Sequence, residues 1–248
     1  MAFDELKFFL PDHPVLTRVW GGPFRGARIV LNPRNSLRKI LGLYEYELNR
    51  WLKQALARVT CVLDVGANDG YFTFGCAAAL RRSGKPGEII AFEPHADCVA
   101  QLRECRAPGR VDWIETPGTA VHVEIVQTFV GGESKPGMIT LDSVQSVSGK
   151  PIDKTNTLIK IDVDGLEVEV IKGARSWLNP SNFFVIEVHE ERFIEQLRAI
   201  FAQQNLRLAL ARQRPLPILG HEMRPRSNCW LLSEIVGDKG RPDNKTKR

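Results

Sequence analysis

No apolar run in the 248 residues approaches the roughly 18 that a membrane-spanning helix needs. The opening stretch "MAFDELKFFLPDHP" has acids where a secretory leader has cations, and no uninterrupted apolar region follows. Five cysteines (Cys61, Cys76, Cys98, Cys105, Cys229) form no C-x-x-C pair, which argues against a zinc site or a disulfide framework. Together these absences predict a soluble, cytoplasmic protein with free thiols. No internal repeat stands out. The dinucleotide signature G-x-G-x-x-G is missing, which argues against a dehydrogenase. So is an aromatic N-P-P-Y segment, which argues against methylation of an amino group on a base.

What is present is an ordinary globular balance, 43% hydrophobic and 25% charged, sufficient for a buried core. The net charge of +5 is uneven. Residues 1–58 hold ten Lys/Arg against five Asp/Glu, and the tail "GDKGRPDNKTKR" holds five against two, leaving the middle slightly acidic. A nucleic-acid footprint would run as a basic stripe around an active face, so nucleic acid is the less favoured partner. The tail, 237–248, reads as solvated and disordered.

From residue 59 to 236 short apolar runs alternate with helical patterns. "TCVLDVGA", "GEIIAFEPH", "RVDWIE", "NTLIKIDVDG" and "FFVIEVHE" read as the main strands, with "TAVHVEIV" as an extra one. "YFTFGCAAALRRSG", "ADCVAQLRECR", "LEVEVIKGARSWL" and "ERFIEQLRAIFAQQN" read as the helices between them, and "LRLALARQ" with "NCWLLSEI" as a closing pair. The alternation predicts an α/β domain with a mostly parallel sheet covered on both faces. Residues 1–58 break it: "PFRGARIVLNPR" suggests a hairpin or strand and "YEYELNRWLKQALA" an amphipathic helix. This segment is expected to cap the C-terminal edge of the sheet. Trp20, Trp51 and Tyr44 are expected to pack into the core more than to line a lid.

The stretch "VLDVGANDGYF" is a strand entering a Gly-bearing turn that opens a helix, a usual nucleotide site. Yet it carries Asp64 and Asp69, which would repel a phosphate. A guest with ammonium and sulfonium groups fits better, and S-adenosyl-L-methionine is such a guest. Glu93 ends the next strand, where an acid can accept hydrogen bonds from ribose hydroxyls.

The blocks "LDVGANDGYFTF", "IIAFEPH", "ITLDSV", "LIKIDVDGLEVEVIKGARSWL" and "FFVIEVH" resemble, in order, those of FkbM-type methyltransferases. The resemblance implies a class I Rossmann-like fold with a seven-stranded sheet, and S-adenosylmethionine-dependent methylation of hydroxyls on sugars, glycans or natural products. It implies that Asp64, Gly66, Asn68 and Gly70 line the methionine and ribose part of the cofactor, with Glu93 on the ribose diol. The family carries a longer loop with an acid near the adenine where this chain has only "TPG", so Glu115 is the nearest substitute.

A hydroxyl acceptor also needs its proton removed. Period two sets Lys160, Asp162 and Asp164 on one face of the fourth main strand or its exit, and Glu187 and His189 on one face of the fifth. His189 is the first choice of base and Glu187 the second. Lys160 would hold a carboxylate or a substrate oxygen, and Asp162 would orient the cofactor or Lys160. Asp162, Asp164 and Glu187 offer hard oxygens for a divalent metal, the less favoured arrangement. An RNA methyltransferase and a non-catalytic cofactor-binding protein are the alternative readings.

Overall fold

The computed structural model describes residues 8–107, 120–147, 149–213, 216 and 229–235. An antiparallel hairpin of β1 (Val15–Arg18) and β2 (Arg28–Leu31) comes first, then helices α1 (Leu37–Leu41) and α2 (Asn49–Leu56). Strand β3 (Cys61–Val65), helix α3 (Tyr71–Arg82), β4 (Gly87–Phe92), α4 (Ala96–Arg106) and β5 (Val121–Val126) follow. Four two-residue strands, β6 (Phe129–Val130), β7 (Met138–Ile139), β8 (Ser146–Val147) and β9 (Lys150–Pro151), lead to β10 (Thr157–Ile161). Helix α5 (Glu167–Lys172), β11 (Phe183–Val188), α6 (Glu191–Ala202), β12 (Leu208–Ala211) and β13 (Cys229–Ser233) complete the order.

The central seven-stranded sheet runs β12-β13-β11-β10-β3-β4-β5, parallel except for β13, which pairs antiparallel with both neighbours. Strand order reverses between β3 and β10, so the crevice outside their carboxyl ends is where such sheets take ligands. Val62, Leu158 and Val185 join one core with α3, α2 and the N-terminal hairpin; Leu63, Ile159 and Phe184 join the other with α5 and α6. Each strand thus divides its residues between two covered faces, as the apolar runs require. Among the described residues no helix is long and apolar enough to cross a membrane.

Three local expectations need correction. The strand taken as extra, Val121–Val126, is the edge strand of the main sheet, parallel to β4, while "RVDWIE" lies outside the described residues. "LEVEVIKGARSWL" is not one helix. Helix α5 stops at Lys172, and a 3₁₀ turn, Arg175–Trp177, follows; between them Gly173 packs so closely on Gly131 that a Cβ would come within 2.2 Å of its carbonyl oxygen. Trp20 is no core residue, being 68% exposed. Trp51 is half-buried and donates its indole N–H to the Ser233 carbonyl at 2.8 Å; Tyr44 lies half-buried over the Lys39 ammonium. The segment before β3 lies mainly on the α3 side of the sheet, where the Phe24 ring covers Gly75 of α3. Lys39 carries the segment to the ligand edge, where it pairs with Asp69. The tail 237–248 lies outside the described residues.

Candidate active site

The sheet's reversal point opens into a cavity of about 330 Å³, walled by Gly66, Asn68, Glu93, Phe129, Asp162 and Asp164 among others. Gly66 leaves β3 at φ +79°, and a Cβ there would lie 1.9 Å from the Asp162 carbonyl oxygen. Only a residue without Cβ lets the two strand exits meet this closely. The Asp162 amide completes the contact by donating to the Val65 carbonyl at 3.0 Å.

Glu93 is buried at the end of β4 and fastens the turn. Its Oε2 accepts from the Asn68 amide at 2.8 Å and its Oε1 from the His95 amide at 2.9 Å. Each oxygen keeps a second lone pair for a guest. The two acids of the turn have other occupations. Asp69 binds Lys39 and accepts from the Tyr71 amide at 3.1 Å. Asp64 is fully buried, 3.3 Å from Lys160 Nζ, and accepts from the Thr73 hydroxyl at 2.5 Å. Neither Asp64 nor Gly70 lines the cavity. Each acid already has a resident ammonium, Lys160 for Asp64 and Lys39 for Asp69. Gly70, at φ +82°, instead opens α3 against Leu102 and Phe74.

Lys160 donates to the Gly66 carbonyl at 2.5 Å and lies 3.1 Å from Asp162 Oδ2 as well as beside Asp64. Burial pushes its pKa down, but Asp162 and Asp64 together outweigh that and hold it above the usual lysine value. Burial likewise raises Asp64, with Lys160 and Thr73 pulling it back. For Asp162 burial also acts upward; the Lys160 ammonium and a hydrogen bond with the Glu187 carboxyl prevail and keep it low. Lys160 is thus engaged by two carboxylates and a carbonyl.

His189 follows β11. Its Nδ1 lies 2.5 Å from Glu167 Oε1, and its Nε2 lies 3.2 Å from Asp164 and 3.8 Å from Asp162. The hydrogen bond to Glu167 raises its pKa to about 8 against the pull of burial, with the charges of Glu187, Glu167 and Asp162 adding to the rise. Glu167 is fully buried, and its Oε2 finds no hydrogen-bond partner among the described residues. Glu167 reads in the sequence only as a first-turn helix acid, so its partnership with His189 was missed. Thr128, Phe129 and Val130 also line the cavity without a signal in the sequence, which points instead to Glu115 at the end of "RVDWIE", outside the described residues.

Asp162, Glu187 and His189 bring ligand atoms within 4.8 Å of one another, so His189, not Asp164, is the third member of the set. A divalent ion there would meet the Lys160 ammonium 3.1 Å from Asp162. The set has the donors for a hard metal, but the ammonium already compensates their charge.

A sequence profile of the methyltransferase FkbM domain family matches residues 64–208. Hexuronic acid methyltransferase AglP of Haloferax volcanii is 26% identical over 156 residues, 58% of this chain and 62% of the relative. The chain therefore spans less than two thirds of that curated relative's length. The crystal structure of methyltransferase FkbM from Methylobacillus flagellatus KT superposes with a TM-score of 0.51 at 18% identity, covering 71% of this chain and 44% of that one. This likeness bears on the fold.

Proposed function

We propose, for a chain that belongs to the methyltransferase FkbM domain family, that it binds S-adenosyl-L-methionine in the 330 Å³ cavity and methylates a hydroxyl of a sugar, glycan or small natural product. One observation carries the cofactor reading: Glu93, Asp162 and Asp164 line the cavity, and among the described residues no Lys or Arg does. Lys160 and His189 stand behind Asp162 and Asp164, but the wall itself presents carboxylates and no Lys or Arg, which disfavours a phosphate guest and favours one bearing ammonium and sulfonium charge. When bound, such a cofactor supplies an activated methyl group, and the protein's task is positioning and proton removal.

The chain's own groups divide that task. Gly66 and Asn68 offer close backbone approach, and Glu93 offers its free lone pairs to ribose hydroxyls. Thr128 to Val130 take the adenine end in place of Glu115. Asp64 and Gly70 act from behind, shaping the turn. His189, oriented by Glu167, accepts the acceptor's proton at Nε2 once it is neutral, and Asp162, beside it, stabilises the imidazolium that results. Glu187 holds Asp162 and is not the base. The likeness to a hexuronic acid methyltransferase supports a sugar acceptor.

Calorimetry tests the reading. S-adenosylhomocysteine should bind, and S-adenosylmethionine at about 100 times its dissociation constant should add roughly 2.7 kcal/mol of stability. NAD should do neither. Binding of NAD without binding of S-adenosylhomocysteine would sink it.

A further inference from the structure

We propose that a basic groove on the N-terminal hairpin, remote from the cavity, binds an acidic saccharide. Two hollows of about 650 Å³ and 430 Å³ adjoin there and share Trp20, Arg25 and Arg82. Lys53 joins the lining of the first and Arg18 that of the second; among the described residues no acid lines either. Trp20 stands 68% exposed at their junction.

One of the cations is held in place, and among the described residues no acid lines the hollows beside them. The Arg82 guanidinium donates to the Arg25 carbonyl and, at 2.5 Å, to the Pro23 carbonyl, which fixes its plane. Burial and then the nearby Arg25 charge lower its pKa. Arg18, Arg25 and Lys53 make no ion pair among the described residues. The wall behind Trp20 is rigid: a Cβ on Gly42 would lie 2.2 Å from the Gly21 carbonyl carbon, so two backbone segments cross there in direct contact.

The groove is separate from the cavity. Helix α3 runs from Tyr71 at the ligand edge to Arg82, and its twelve residues span roughly 18 Å. The two sites share no lining residue.

An indole face stacks on the apolar face of a pyranose, and guanidinium forks match carboxylates or sulfates on either side. Single-stranded nucleic acid uses successive aromatic platforms, and among the described residues this groove has one. A bilayer takes apolar side chains in a continuous face, whereas Trp20 sits among cations at a hollow. An acidic oligosaccharide fits both the concavity and the charge.

Calorimetric titration with tetragalacturonate tests the proposal, using the full chain, Trp20→Ala and an Arg18→Ala/Arg25→Ala double variant. The wild type should bind it, more weakly as salt rises, and should ignore neutral maltotetraose. Each variant should bind at least tenfold more weakly while keeping its melting temperature and S-adenosylhomocysteine affinity. Equal affinity in the variants would overturn the proposal. So would Trp20-dependent binding of uridylate-rich RNA or phosphatidylglycerol vesicles with no saccharide binding. A parallel loss of S-adenosylhomocysteine affinity would overturn it too, because the two sites would then not be separate.

Discussion

His189 is the side chain whose environment decides the most. With a pKa near 8 it is cationic at neutral pH and becomes a base only above that. We expect kcat/KM for methyl transfer to rise with pH through a midpoint near 8. In Glu167→Gln the midpoint should fall toward the ordinary value of 6.5, because the largest cause of the rise is the bond to Glu167. An unmoved midpoint would mean another group titrates. The same shift has a sign in stability: folding gains from the His189 proton fully below about 6.5, and the gain is lost as pH rises through about 8. Gly66 sets a second residue-scale expectation. Gly66→Ala combines a left-handed φ of +79° with a Cβ 1.9 Å from the Asp162 oxygen. It should cost about 2–5 kcal/mol, read as a lowered urea midpoint. The polar row of Lys160, Asp162, Glu187 and His189 is legible in the sequence, since period two alone puts it on one face. That Asp64 and Lys160 form an ion pair is not. Pairing needs the β3–β10 register, Asp64 beside Lys160, which is a tertiary fact.

At the scale of elements, β3 and β10 are tied by more than their ladder. Lys160 reaches across to Asp64 and to the Gly66 carbonyl, so one side chain spans the strand exits that frame the cavity. Lys160→Met would leave Asp64 buried without its ammonium. We expect about 3–5 kcal/mol of destabilisation by thermal or chemical melts, the usual cost of breaking one side of a buried pair. A variant as stable as the parent would show that Asp64 takes up a proton at little cost. Strands with continuous apolar runs and helices opened by Gly70 or closed near Gly84 are evident from sequence because the signal is local. The edge strand is not. "RVDWIE" and "TAVHVEIV" carry the same apolar pattern, and only the pairing of Val121–Val126 with Gly87–Phe92 makes the second the neighbour of β4. The close approach of Gly131 to Gly173 beyond helix α5 is hidden for a similar reason, since it joins residues far apart in the chain.

Across the whole molecule, the N-terminal segment belongs to the same core as the sheet. Ile29, Leu52 and Leu56 are buried with Phe74, Val62 and Val185. We therefore expect a chain beginning at residue 59 to lose cooperative unfolding, because it would expose the α3 face. A sharp calorimetric transition from that fragment would show that the segment is dispensable. The sequence discloses the amphipathic helix before β3 but not where its apolar face docks, which depends on the register of distant elements.

The position of β13 has a further consequence during synthesis. Strand β12 leaves the ribosome earlier than β13, yet among the described residues it joins the sheet only through β13, which slots between it and β11. Until Cys229 to Ser233 emerge, β11 has an open edge beside Glu187, and β12 has nothing to join. The sheet can therefore close on that side only after the last of its strands has emerged. A stop placed just before β13 would thus remove two strands from the sheet rather than one, and would bare the side of the strand that leads to His189.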